Sequence, residues 1–515
     1  MAGICRALHN PRSIFPITVS GRVKPSGKKC SAQSIRVGNS VERCCRVREI
    51  WKNEVICHQN SPGQGISWRC SAVQEPDSST TPQTEAEEEG TSDFGEDIQE
   101  RAEQERLFSN VNRGTLKHEP GDVLSAALLV AGTTIGAGIL AIPAVTQDAG
   151  FLASSATVVT CWLYMVGTGL LIAEVNVNTM CELGAGGVSI VSMADRTLGP
   201  TGVRVACGTY LFTHYALLVA YVARSSEIIT AAIGSPLWLS GLLFTGAIGS
   251  LCYFASPRAI GAVNGALVGG IIISFAALVG VASGNIHLDS LIKANWAAVP
   301  ASVPIITLSF VYQNIVPVIC TELEGDLPKI RSAVVLGTSI PLVMFLVWDA
   351  LILGSFPAAG DSISSASGVA DPLAILRATN STVGPIIQTF SLLAVATSYI
   401  GFVLGLSDFL ADLLKLPSGG SRQPLPYLLT LFPSLALALT YPDIFFQALD
   451  FAGTYGVLVL FGIIPAAMAW SQRYMDRSLS ISKVELVPGG QLTLAIIIGV
   501  AGTIITTELI SQLLP

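Results

Sequence analysis

The chain has 515 residues, 50% of them hydrophobic and 13% charged, with a formal net charge of −7. Its mean hydropathy is +0.58. Such values exclude an ordinary soluble globular domain and belong to a protein built largely inside a bilayer.

The average hides three regimes in chain order. Residues 1–70 hold twelve Lys/Arg against three Asp/Glu. This basic, acid-poor, Ser-containing stretch lacks a long apolar core and reads as an organelle transit peptide. Cys70–Ser71–Ala72 offers a stromal-type processing site, and a basic cytosolic tail is the alternative. Residues 71–119 hold four basic and thirteen acidic residues, including Glu85, Glu87, Glu88 and Glu89. With so little apolar surface, this region is expected to be a disordered linker. Residues 120–515 form the expected membrane domain. Six of the eleven cysteines precede residue 71, and the rest sit singly with no metal-ligand spacing. No cofactor, metal or nucleic-acid partner is expected.

A helix needs about 20 apolar residues to cross a bilayer. Eleven spans satisfy that reading: 122–147, 152–181, 203–232, 237–254, 260–282, 302–321, 333–354, 383–413, 425–440, 444–470 and 492–514. Loops after even-numbered spans carry ten basic residues: Arg196, Arg204, Arg258, Lys329, Arg331, Lys415, Arg422, Arg473, Arg477 and Lys483. Loops after odd-numbered spans carry two, Lys293 and Arg377. The positive-inside rule then sets the N-terminus on the cytoplasm-equivalent side.

Span 1 contains GTTIGAGILAIP at 132–143. Gly132, Thr133, Thr134, Ile135, Gly136, Ala137 and Gly138 weaken a helix where lipid would demand that every backbone group be paired. One reading is an unwound substrate site whose N–H groups donate to a carboxylate. The other is close helix packing through the Gly132-x-x-x-Gly136 spacing. Span 6 contains SFVYQNIVPVICTELEG, with Tyr312, Gln313 and Asn314 ahead of Pro317. A proline cannot donate to its helix, so Pro143 and Pro317 mark matching helix breaks, 174 residues apart. Spans 2 and 7 start 181 apart, 3 and 8 start 180 apart, and 5 and 10 start 184 apart. Five spans repeated with opposite topology, about 122–282 and about 302–470, plus an eleventh helix, describe an all-α transporter architecture.

Span 8 carries Thr397, Ser398 and Tyr399, whose hydroxyls suit a small cation, or bond back to their own helix. Ionisable residues inside spans are functional candidates by default: Glu174, His214, Arg224, Glu227, Asp349 and Asp408. Glu174 ranks first for proton coupling and His214 second.

The segments GTTIGAGILAIP, VYQNIVP and LPKIRSAVVLGTSIPLVMFLVWDALILGS resemble the tryptophan/tyrosine permease family, over roughly 118–514. The resemblance implies eleven spans in a leucine-transporter-like 5+5 inverted repeat and symport of an aromatic amino acid with protons. It maps the backbone site onto Thr134–Gly138 and Tyr312–Asn314. Tyr312–Gln313–Asn314 departs from the aromatic–His–Gly run of bacterial members, which opens the choice of substrate and proton handling. The charged N-terminal extension is foreign to those members. It implies a plant plastid version in the envelope, the inner membrane, with a stromal N-terminus; another cellular membrane is the alternative. Other readings are a sodium-coupled carrier of another neutral amino acid or small zwitterion, and a transport-dead receptor or scaffold. An enzyme is not expected: HExxH and a suitably placed GxSxG are missing.

Overall fold

The computed structural model describes residues 121–183, 188–282, 287–355, 383–414, 416, 423–475 and 485–513. Before them it describes four two-residue strands, Ile56–Cys57 paired with Cys70–Ser71 and Val111–Asn112 paired with Lys117–His118, both antiparallel. Apart from these strands, the expected transit peptide and linker lie outside the described residues. Two compact units divide the chain. In residues 1–104 with 480–484, the first strand pair is the described structure. The second unit, 105–479 with 485–515, holds the helices and the second strand pair.

This second unit is an all-α polytopic membrane protein. Among the described residues, nine helices are long and apolar enough to cross a bilayer. Val123–Thr134 and Gly138–Thr146 make a further, broken span bent by 57°, and Pro424–Thr440 is a shorter apolar helix. Ten of the eleven expected spans are thus long enough to cross, counting the bent pair as one, and the ninth corresponds to the shorter Pro424–Thr440; the expected span numbers are kept below. Leu237–Phe254 and Val383–Leu413 coincide with the sequence reading. Span 3 runs longer, Ile190–Ile233, because an amphipathic turn precedes the apolar run. The helix is interrupted at Gly199, φ 65 and ψ −161, just before Pro200. Local chemistry sets the ends. Ser189 accepts from Ser192 N–H at the start of span 3, and Asp326 accepts from Lys329 N–H at the start of span 7.

The unit is apolar on both its inside and its outside, as lipid requires. Trp348, Tyr312, Tyr399, Phe310, Phe345, Phe390 and Phe461 are fully buried, while Leu128, Leu243, Phe254, Ile273, Phe432 and Leu492 are exposed. Lipid tails gain nothing by releasing such side chains, so helices associate through close packing and hydrogen bonds instead. Span 7 packs along span 1, span 8 along spans 3 and 5, and span 6 against spans 1, 2 and 10. Span 10 is unusual. Between Phe445–Phe451 and Ile464–Trp470 it widens into π-helix over Ala452–Ile463, and it widens again over Ser471–Met475. Wide turns of this kind concentrate at functional positions.

Candidate functional site

The interruption in span 1 falls at Ile135–Ala137. Ile135 is extended, with φ −76 and ψ 98. Two neighbouring hydroxyls bond back onto the helix before it: Thr133 Oγ1 donates to Leu129 O and Thr134 Oγ1 to Val130 O, each at 2.8 Å. These hydroxyls are therefore spent locally, and Thr133 faces outward. Across the break, Ile135 N–H reaches Ala131 O at 2.9 Å, and Ile139 and Leu140 N–H reach Gly136 and Ala137 O. Ala137 N–H donates to Ser398 Oγ of span 8 at 3.0 Å. Among the described residues, the N–H groups of Gly136 and Gly138 have no acceptor. Gly132 is half-buried, one turn earlier, and a side chain there would meet nothing. Pro143 lies inside the second half-helix, five residues past its start, so the break precedes it.

Glycine is required at two of these positions by close approach. A Cβ at Gly136 would run into Ser398 Oγ. One at Gly138 would lie 2.6 Å from Ser309 Oγ and 2.9 Å from Ser309 Cα. Ser309 is the last residue of the first half of span 6, Val299–Ser309. Close approach thus involves Gly136 and Gly138, whereas Gly132, the other member of the expected Gly132-x-x-x-Gly136 contact, meets nothing.

Span 6 is interrupted at Phe310–Tyr312, and a single tight turn, Gln313–Ile315, leads into Val316–Glu322. Pro317 sits in the first turn of that last segment, where its missing N–H costs nothing. Unlike span 1, span 6 is not bent by more than 40°. Two of its three polar residues are tied to span 2. Tyr312 Oη donates to Met165 O at 3.1 Å, and Gln313 Nε2 donates to Met165 O at 3.3 Å and to Thr168 Oγ1 at 3.4 Å. Gln313 Oε1 also accepts from Tyr312 N–H at 3.0 Å, which satisfies a backbone donor the break releases. Both side chains are 0% exposed. Asn314 differs: its buried Oδ1 has no partner among the described residues.

The structure therefore brings Gly136, Ala137, Gly138, Ser309 and Ser398 together, with the break carrying Tyr312, Gln313 and Asn314 following directly on Ser309. It does not bring Thr397 to them. A helix turns about 100° per residue, so successive residues of span 8 face different neighbours. Thr397 Oγ1 donates to Asn264 Oδ1 of span 5, Ser398 faces span 1, and the Tyr399 ring lies 5.1 Å from Phe244 of span 4. His214 is buried between spans 3 and 8. Its Nδ1 lies 2.8 Å from Tyr210 O, and its ring stacks on Tyr210 at 3.8 Å.

Glu174 lies nine residues beyond Met165 on the same helix, about 13 Å along its axis. Arg473 Nε and Nη2 donate to its two oxygens, each at 2.7 Å, and Leu486 N–H adds a third bond at 2.9 Å. Arg473 is buried in the widened end of span 10 and is not a loop residue. Nothing local in the sequence marks this pair, whose members are 299 residues apart. Arg224 and Glu227 do pair at i,i+3, at 2.9 Å, and Arg224 also lies over the Phe445 ring. Asp349 of span 7 is 0% exposed and accepts from Thr146 Oγ1 at 2.7 Å and Ser154 Oγ at 2.6 Å. Ser309, Met165, Thr168 and Arg473 are participants that residue-by-residue reading of the breaks did not single out.

Chemically, the meeting of the two breaks offers unpaired backbone N–H donors, one unpartnered amide oxygen and no charged side chain. Such a place suits a small zwitterion. The description of the tryptophan/tyrosine permease family matches residues 120–508. Tyrosine-specific transport system 2 of Haemophilus influenzae is 31% identical over 73% of this chain and 93% of its own length. The tryptophan-specific transport protein of Pseudomonas aeruginosa is 30% identical over 68% of this chain and 86% of its own. The low affinity tryptophan permease of Escherichia coli is 28% identical over 72% and 91% respectively.

Proposed function

The chain belongs to the tryptophan/tyrosine permease family, a family of transport permeases and not of enzymes, and from that premise we propose that it is a secondary active transporter. Its substrate in this reading is an aromatic amino acid, tyrosine or tryptophan, carried in symport with protons. The observation that supports this most is the contact of the two helix breaks at Gly138 and Ser309, with the N–H groups of Gly136 and Gly138 left without acceptors. The substrate carboxylate would take those donors at the start of a nine-residue half-helix, where the helix dipole favours an anion. The amino group would face Asn314 Oδ1, an acceptor that no donor among the described residues occupies. Tyr312 and Gln313 hold this second break in place against span 2 rather than presenting their own polar atoms.

The interruptions in spans 1 and 6, starting at 135 and 310, lie 175 residues apart, within one residue of the 174 that separates the two prolines. They support a 5+5 inverted repeat with span 11 outside it, the two repeats rocking about the central site. The basic N-terminal segment supports a plastid envelope location with the N-terminus on the stromal side. A fluorescent fusion should mark a plastid rim; labelling of another membrane would refute the location alone.

The test of function is uptake. Purified protein in liposomes with an imposed inward proton gradient should accumulate labelled tyrosine or tryptophan, and replacing sodium should leave uptake unchanged. No gradient-dependent uptake of any amino acid would refute the reading.

A further inference from the structure

Ionisable groups inside the bilayer are expensive and are kept where they act. Two carboxylates are deeply buried among the described spans, and they are treated differently. Glu174 meets a guanidinium, whereas Asp349 meets two hydroxyls and no cation.

The hydroxyls around Asp349 have a particular arrangement. Thr146 Oγ1 lies 2.7 Å from Asp349 Oδ1 and 2.8 Å from Ile142 O. Ser154 Oγ lies 2.6 Å from Asp349 Oδ2 and 3.0 Å from Phe151 O. Each hydroxyl has one proton to give and two acceptors within reach. With Asp349 ionised, both hydroxyls turn to the carboxylate. With Asp349 protonated, its own O–H donates to one hydroxyl, which in turn donates its hydrogen bond to the main-chain carbonyl behind it. Both states leave every group bonded and move no heavy atom. Other titratable groups on the elements packed around this end of span 7 are Asp148, His287, Asp289 and Lys293, all exposed and none bonded to Asp349. Cys161 and Tyr164 of span 2 lie about two turns or more beyond Ser154.

The three partners also sit on three elements. Thr146 ends the half-helix of span 1 that begins at the substrate break, Ser154 opens span 2, and Asp349 belongs to span 7. We propose that Asp349, held by Thr146 and Ser154, is the site at which this transporter binds its coupling proton, and that loading it lets these three spans close over the substrate. This rests on the transport reading above. Hydronium gives its proton to one carboxylate oxygen and leaves as water. The neutral carboxyl is then buried with no uncompensated charge, and the proton departs to water when the clamp reopens. Substrate at one end of the half-helix and proton at the other bias the same movement, which is what coupling requires.

The full chain in liposomes tests this with Asp349→Asn, which keeps the shape and still bonds both hydroxyls but cannot carry the proton. Accumulation of labelled tyrosine driven by a proton gradient should fall at least tenfold, while tyrosine–tyrosine exchange stays within about threefold of wild type and loses its pH dependence. Wild-type accumulation by this variant would overturn the proposal. If exchange is lost as well, Thr146→Val with Ser154→Ala decides. That variant should shift the pH midpoint of uptake by at least half a unit, and an unshifted midpoint would overturn the proposal. The same assays run with labelled tryptophan cover the other substrate; absence of wild-type exchange and uptake of any amino acid would overturn the transport reading and this inference with it.

Discussion

The two helix breaks meet at Gly138 and Ser309, yet they are built on opposite plans. Span 1 is bent by 57° and is interrupted by backbone alone, with Ser398 supplying one bond and two N–H groups left over. Span 6 is not bent by more than 40° and is braced by side chains, Tyr312 and Gln313 both reaching Met165 O of span 2. A break made of backbone offers ligand donors and can hinge. A break braced by buried amides and hydroxyls holds its geometry. In the proposed site the span 1 break would be the moving wall and the span 6 break the fixed one, where Asn314 Oδ1 has no partner among the described residues.

Four substitutions test this division. The largest effect is expected from Gly136→Val. A branched side chain would strike Ser398 Oγ and fill the space of the unwound segment. Uptake should fall by about a hundredfold or more, measured on protein verified as inserted and folded. Gln313→Ala should come next, as a loss of stability. It orphans Tyr312 N–H and removes two bonds to span 2, which costs about 2 kcal/mol and should lower the thermal midpoint in detergent. Asn314→Ala should behave in the reverse way. No group among the described residues bonds its Oδ1, so the thermal midpoint should hold while substrate affinity drops about tenfold, the worth of one good hydrogen bond. Equal destabilisation by the two amide variants would erase the distinction between brace and reader. The smallest change is Ser398→Ala, which removes the acceptor of Ala137 N–H for about 1 kcal/mol. A KM raised about fivefold with kcat retained is expected, and an unchanged KM would separate span 8 from the site.

The sequence reading located the spans well because lipid imposes a length and an apolar content that survive any detail of packing. Span boundaries were harder where the helix continues past the apolar run, as at Ile190, or where a proline is tolerated, as at Pro143. The breaks were legible as glycine and amide clusters. Their internal assignments were not, because which face Thr397 or Ser398 presents depends on the rotation of span 8. Arg473 shows the limit of charge counting. Among the loop cations it is one of ten, yet it is buried opposite Glu174. Glu174 and Asp349 look alike in sequence, each a single acid in an apolar run. What separates them is a guanidinium 299 residues away from one and two hydroxyls beside the other. The π-helical stretches of span 10 left no periodicity signal at all.

The second half-helix of span 1 is a lever arm with its fulcrum at the break. From Gly138 to Thr146 it is about 12 Å long. Tilting it by roughly 10° about Ala137 would carry Thr146 through about 2 Å, enough to take a hydrogen bond of ordinary length out of range. A displacement of well under an ångström at Gly138, the size a bound carboxylate could impose, is thereby magnified at the far tip. In the proposed cycle the short arm at the fulcrum would read the cargo, and the long arm would trip the Asp349 latch about 12 Å away.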